Sequence, residues 1–233
     1  MMLFCRLFLV VIIAVSFSTL NAQGPAYIIA GGPSLSNQRV SGFSREPFIR
    51  YHAVLSIEST SEISPNALYA RLGYHVKGSA VNIRNFYDQD GFERQGSSYA
   101  MEFHNASVSL GIKQRRELGF NKHYYYGFGV RGDFNLKTKF GLLFQGLEGA
   151  ENKFTYGVNV DVGIELPISE LVSAVFEIGL SPDFADQMFI PPTDTGYNYP
   201  DGNPVILPET KLTNVVIEAR VGLRLWNKII YTD

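Results

Sequence analysis

The feature that most constrains this chain is a strict two-residue alternation of apolar and polar side chains, a pattern that a two-faced β-strand can use and a helix cannot. It is cleanest over residues 154–166. There Phe154, Tyr156, Val158, Val160, Val162, Ile164 and Leu166 alternate with Thr155, Gly157, Asn159, Asp161, Gly163 and Glu165. Residues 212–226 repeat it, with Val215, Ile217, Ala219, Val221, Leu223 and Leu225 set against Asn214, Glu218, Arg220, Gly222 and Arg224. Four further segments, 48–58, 68–77, 124–133 and 172–181, follow the same rule. Two are less regular. Residues 27–35 are glycine-rich, and 99–113 begins with Tyr99, Met101 and Phe103 on the apolar side before switching to Ala106, Val108, Leu110 and Ile112. A bulge near Asn105 would reconcile the two halves. The pattern therefore predicts eight strands.

The connections carry independent information. Links 36–47, 79–98, 137–153 and 182–211 are long, whereas 59–65, 116–121 and 167–170 are short. Long and short links that alternate around an even number of strands are the signature of a single-chain barrel whose two ends face different compartments.

The N-terminus fits that reading. Arg6 precedes an unbroken apolar run from Leu7 to Val15, and Leu20-Asn21-Ala22 offers a small residue before a cut at Gln23. This has the layout of a secretory signal, and the run is too short for a membrane helix of about 20 residues. Residues 1–22 are thus expected to be a signal peptide and 23–233 one barrel domain. The single cysteine, Cys5, lies in the signal, so thiol chemistry and disulfides are not expected in the remainder. The formal charge of −2, or −3 without Arg6, is small and mixed and does not point to nucleic acid as a partner. No second apolar run is long enough for a helix, so entry into a bilayer requires a closed barrel.

Alternation alone does not say which face looks outward, since a soluble barrel would turn the apolar face inward. Three features favour apolar-out. The glycines lie on the polar face, as a cramped interior needs. Aromatics gather at strand ends, with Tyr124, Tyr126 and Trp226 at the turn end and Tyr51, Tyr99, Phe134, Phe154 and Tyr156 at the loop end, like interfacial girdles. The charges on the polar face also balance: Arg50, Arg71, Lys77, Arg131, Arg220 and Arg224 against Glu58, Asp133, Asp161, Glu165, Glu177 and Glu218. The expected fold is all-β: an eight-stranded antiparallel up-and-down transmembrane β-barrel in the outer membrane. Its lumen is just wide enough for side chains to fill, so those twelve residues are expected to form a paired network that plugs it. A selective channel lined by the same charges is the alternative.

Several segments carry a resemblance. Residues 68–79 (LYARLGYHVKGS), 124–130 (YYYGFGV) and 216–225 (VIEARVGLRL) resemble the third, fifth and closing strands of the PorT-like, or outer membrane protein β-barrel domain, family of small Gram-negative barrels. The likeness spreads over nearly all of the chain after the signal. The sequence departs from that pattern at Phe103-His104-Asn105-Ala106 and in continuing past Trp226. The resemblance implies fold and location, and it implies no catalytic residues and no cofactor.

Few residues suggest chemistry. His104 and Ser107 invite comparison with lipid A deacylases, but residues three apart in a strand face opposite ways unless a bulge realigns them. Asp88-Gln89-Asp90-Gly91-Phe92-Glu93 alternates oxygen ligands, yet is shorter than a full calcium loop, and a solvated loop tip is the simpler reading. His52 and His75 share the polar face and read as lumenal hydrogen-bonders. Loop 182–211, with Asp183, Asp186, Asp194 and Asp201 and a proline-aromatic tract from Ile190 to Pro200, is long enough to be functional. The expected role is non-enzymatic: a structural or interaction component whose partners are outer-membrane lipid and, through its outer loops, other envelope proteins. A lipid-acting esterase and a soluble periplasmic barrel that binds an apolar ligand are the alternatives.

Overall fold

The structure, a computed structural model, describes residues 24–40, 46–59, 64–82, 86–87, 93–94, 96, 98–119, 122–141, 149–198, 204–207 and 209–227. The expected signal, most of the 88–93 tract and the end of the proline-aromatic tract lie outside the described residues. Eight long strands form the wall: β1 (Pro25–Val40), β2 (Phe48–Ser59), β3 (Asn66–Asn82), β4 (Ser98–Gly119), β5 (Lys122–Phe140), β6 (Phe154–Pro167), β7 (Val172–Pro182) and β8 (Thr210–Trp226). Each pairs antiparallel with the next in sequence. The last returns to the first, from Ala26↔Trp226 to Val40↔Leu212, so the eight wall strands close into a ring.

Five short strands decorate the loop end. Phe86–Tyr87 pairs with Glu93–Arg94, Thr193–Asn198 pairs with Pro204–Leu207, and Met188–Ile190 joins the top of β8. All eight expected strands are present, and several run further than alternation indicated. β1 continues through Asn37 and Arg39, and β5 through Lys137 and Lys139, whose outward side chains are polar. Backbone pairing persists there after the outward side chains have stopped being apolar, because alternation reports contact with an apolar phase rather than strand structure itself.

The irregularity near Asn105 exists, but on the other strand. Pairing passes from His104↔Lys137 to Asn105↔Asn135, so the extra residue is Leu136 on β5. β4 itself stays in unbroken register with β3 from Asn66↔Gln114 to Asn82↔Ser98. Its faces therefore do not switch. Met101 and Phe103 point inward together with Asn105, Ser107 and Ser109, while Val108 and Ile112 are exposed. The apolar start of this strand belongs to the interior. There Met101, Phe103, Met188 and Leu212 form a cluster packed by Tyr99, Phe140, Ala150 and Ile190. Tyr99 is consequently no part of an outer girdle.

A second departure lies between β2 and β3. Their continuous pairing runs from Glu58↔Tyr69 to His52↔His75 and is resumed by a single bridge, Glu46↔Ala80, although β1–β2 continues to Ser36↔Phe48. Above this level the β1–β2 pair laps over the outer side of β3. The Ser36 hydroxyl accepts from the Gly78 N–H at 3.0 Å, the Ser79 hydroxyl donates to Gln38 at 2.5 Å, and the Phe48 ring lies against Gly78. Residues 75–80 of β3 are in consequence buried on both faces.

A charge-filled lumen as candidate functional site

The wall is apolar outside. Ile29, Leu55, Leu72, Ile112, Val130, Val162, Ile178 and Val221, one from each of the eight strands, are at least half exposed. The inner face carries the charges. Side chains from β6 show the division: Thr155, Asn159, Asp161 and Glu165 are buried, while Tyr156, Val160, Val162 and Ile164 are exposed. In water this arrangement would forfeit the burial that folds a soluble barrel, since each exposed Val, Ile or Leu gives up about 1.5–3 kcal/mol. Hydrocarbon removes that cost. Over residues 154–166 the apolar face spans roughly 30 Å along the axis, at about 3.3 Å per residue and a tilt near 40°, close to the thickness of a bilayer core. Wall and lumen are those of a barrel solvated by lipid.

The interior is built in three tiers. At the turn end, Glu58 accepts from Lys113 and, at 2.8 Å, from Arg115, while Arg224 lies 3.3 Å from Glu58 and 3.0 Å from Glu165. Trp226 closes this tier from the lumenal side, with the Arg224 guanidinium 4.2 Å and that of Arg115 5.5 Å from its ring centre. It thus stacks on lumenal cations rather than joining a girdle. In the middle tier, Arg71 donates to Asp161 at 3.1 Å and to Glu177 at 3.0 Å, and Arg220 donates to Asp161 at 2.9 Å and also to Glu177 and Glu218. At the loop end, Lys77 donates to Asp133 at 2.6 Å and to both oxygens of Asp183, and Arg131 bonds Asp183 and lies 3.1 Å from Asp133. His75 joins the upper two tiers, 3.3 Å from Glu218 and 3.2 Å from Asp133. Glu177, 3.6 Å from Lys113, joins the lower two.

Eleven of the twelve expected residues thus meet in one network. The exception is Arg50, which is corrected: the lap of β2 over β3 carries it outside the lumen. There it stacks 3.7 Å over Phe48 and donates to Glu102 at 2.6 Å on the outer face of β4. The network also recruits residues the sequence reading did not assign to it. Lys113 ends the alternating segment 99–113 in phase with Ser107 and Ser109, and Arg115 lies two residues further on, where β4 no longer reads as alternating. Asp183 was placed in a loop, yet its position one step past the inward Ser181 was the available signal. Tyr69 and Tyr125 also span the lumen. Tyr69 accepts from Asn159 at 2.6 Å and Tyr125 donates to Glu177 at 3.0 Å. Glycine makes room for both: a Cβ on Gly129 would lie 2.4 Å from the Tyr69 hydroxyl, and one on Gly163 would lie 2.5 Å from the Tyr125 ring.

The start of the 182–211 loop joins the same network. Besides Asp183, Gln187 accepts from Asn214 at 3.3 Å, and Met188 sits in the apolar cluster above. A gap of about 10 Å³ in the lumen adjoins His52, His75, Ser107, Ser181 and Glu218 and has room for about one water. His104 and Ser107 lie on opposite faces of a β4 in continuous register. His104 accepts or donates at 2.6 Å with the outward Tyr74, and Ser107 is lumenal, so the pair forms no nucleophile–base dyad. Among the described residues no group of His, Cys, Asp and Glu is arranged to hold a metal ion.

No protein-family model matches the chain, and no curated protein does. Among solved structures, similar chains include Neisserial surface protein A, with 9% identity over 88% of this chain and 99% of that one at a TM-score of 0.47. The outer membrane protein OprG from Pseudomonas aeruginosa has 10% identity over 88% and 99% at 0.48, and Ail of Yersinia pestis has 12% over 87% and 99% at 0.39. The architecture stands on the strand pairing itself: the chain is a small, eight-stranded antiparallel barrel of the outer-membrane type.

Proposed function

We propose that this chain is a non-conducting outer-membrane barrel of the PorT-like kind, exported by a signal in residues 1–22, that acts as a structural or interaction component of the cell envelope. The observation that carries the reading is the three-tier ion-pair network, in which every lumenal carboxylate named above lies within 4 Å of at least one cation. Breaking such a buried pair costs about 3–5 kcal/mol. A steady aqueous path would require breaking several at once, and wide channels belong to barrels of about 16 strands. With the lumen occupied, what remains to meet a partner is the outer wall, which faces lipid, and the loop end, where other envelope proteins can dock. The separation of His104 from Ser107 removes the support for the esterase alternative. Single-channel recording in planar bilayers tests the plug: the reading expects insertion with no steady conductance, and large, stable openings in most insertions would replace it with the channel.

A further inference from the structure

We propose that the outer wall of β4 and β5, just above the apolar belt, binds the phosphate groups of an outer-leaflet lipid; this rests on the membrane reading above. Along β5 the outward side chains run Val130, Phe134 and Leu136, and then, past the bulge, Lys137 and Lys139, all exposed. The change from apolar to cationic is complete within one residue. In register beside them on β4, Glu102 pairs with Lys139 and His104 with Lys137. Arg50 enters the same group from β2, because the lap over β3 brings its guanidinium to Glu102. That one carboxylate lies 2.6 Å from Arg50, 3.4 Å from His104 and 3.6 Å from Lys139. Arg50 and Lys139 therefore share one carboxylate, and Lys137, in register with His104, adds a further positive charge beside them.

Directly below lies a shelf of aromatic rings. Tyr51 and Tyr74 stand 6.3 Å apart, Tyr74 and His104 6.2 Å, and Phe134 pairs with Phe154. Aromatics mark the interface between acyl chains and headgroups, so the cations above them lie at headgroup depth. An occupant of this wall must be apolar below and anionic above. A phosphorylated lipid has that form, with chains on Leu136, Phe134 and Tyr74 and phosphate oxygens at Lys137, Lys139 and Arg50, whose side chain is 36% exposed. Two other exposed cations at this end each have a carboxylate to themselves: Lys153 lies 3.6 Å from Glu151 and Lys211 2.5 Å from Glu209.

The test is native mass spectrometry of the full barrel refolded in neutral detergent, titrated with bisphosphorylated lipid A and with the same lipid stripped of phosphate. The wild type should retain the phosphorylated lipid and largely lose the stripped one. Lys137→Gln with Lys139→Gln should weaken retention roughly 25-fold, at about fivefold per cation near an anionic surface. Lys153→Gln with Lys211→Gln should change it less than about twofold, since each of these cations has a carboxylate to itself whereas Lys139 shares Glu102 with Arg50. Both lysines of the site are exposed; should the double variant fold poorly, Lys137→Gln alone carries the test at about fivefold. Equal retention of the two lipids, or equal loss in site and control variants, overturns the proposal. Displacement by millimolar inorganic phosphate overturns the lipid assignment in favour of a simple anion site. Failure of the membrane reading would look different, because the wild type would then not enter vesicles at all.

Discussion

Replacing Asp183 by asparagine tests whether the loop end of the lumen is held shut by charge. The change keeps the side chain's shape and removes one negative charge from a site with no access to water. In the wild type Asp183 bonds Lys77 through both oxygens at 2.8 and 2.7 Å, accepts from Arg131, and accepts from Asn214 at 3.1 Å. Without it, Lys77 and Arg131 would share Asp133 as their one remaining carboxylate, and the amide group would have to turn its own donors away from two cations. Loss of one partner from a buried ion pair costs about 3–5 kcal/mol. That range is expected here, toward its upper part because two cations lose a partner together. The assay is reversible denaturant unfolding in phospholipid vesicles, followed by the fluorescence of Trp226, the sole tryptophan. Asp186→Asn is the control. This residue enters the loop's bonding through its backbone carbonyl, which accepts from Asn152 at 2.8 Å, so its charge should be worth less than about 0.5 kcal/mol. A second change, Lys77→Met in the Asp183→Asn background, should recover part of the loss by restoring the charge balance. If Asp183→Asn and Asp186→Asn cost the same, the argument that Asp183 anchors the plug is refuted.

Two further outcomes follow from the same geometry. Replacing the Thr193–Asn198 and Pro204–Leu207 hairpin by a short Gly/Ser link should leave a barrel that folds into micelles, since loop closure costs only about 0.6 kcal/mol per doubling of length. Extending the deletion back through Asp183 should prevent stable folding or open a conducting path, read by heat-modifiable gel migration and by bilayer recording. Gly163→Leu should destabilise the barrel by about 1–3 kcal/mol in the same unfolding assay, because its side chain meets the Tyr125 ring in a filled interior; Tyr125→Ala should relieve part of that cost.

The strand number, the alternation of long and short links and the inward charges were legible because each is written with a period of two or as a break in it. Where the side-chain pattern serves two environments along one strand, the period misleads. Tyr99, Met101 and Phe103 share a phase with the lumenal Asn105 and Ser107, yet they are apolar because the lumen itself turns apolar at the loop end. Read as lipid-facing, they demanded a switch that β4 does not make. Arg50 keeps the phase of His52 and Ser56 along its own strand, yet it does not reach the lumen. Its destination depends on where β2 stops pairing with β3, a tertiary choice set by Phe48, Gly78 and Ser36 that no local pattern encodes. Asp183 was hidden by Pro182, which reads as the end of a strand although the chain continues inward for one more step. Lys137 and Lys139 fell into a presumed loop because their outward faces meet headgroups and water, so the alternation had already ended.

The most direct test of the central claim, that the apolar face meets lipid and the charged face is sealed inside, uses single cysteines in a chain starting at Gln23, which contains no other thiol. Cysteines at Val158, Val160, Val162 and Ile164 would carry a fluorophore in vesicles whose lipid tails bear a quencher. Cysteines at the buried Ser173 and Ser181 would be challenged with the same reagent before and after denaturation. The account predicts labelling and strong quenching at all four β6 positions, and at the two serine positions no labelling until the barrel is unfolded. Unquenched probes on β6, together with ready labelling of Ser173→Cys and Ser181→Cys in the folded protein, would mean that the faces are reversed and would contradict it.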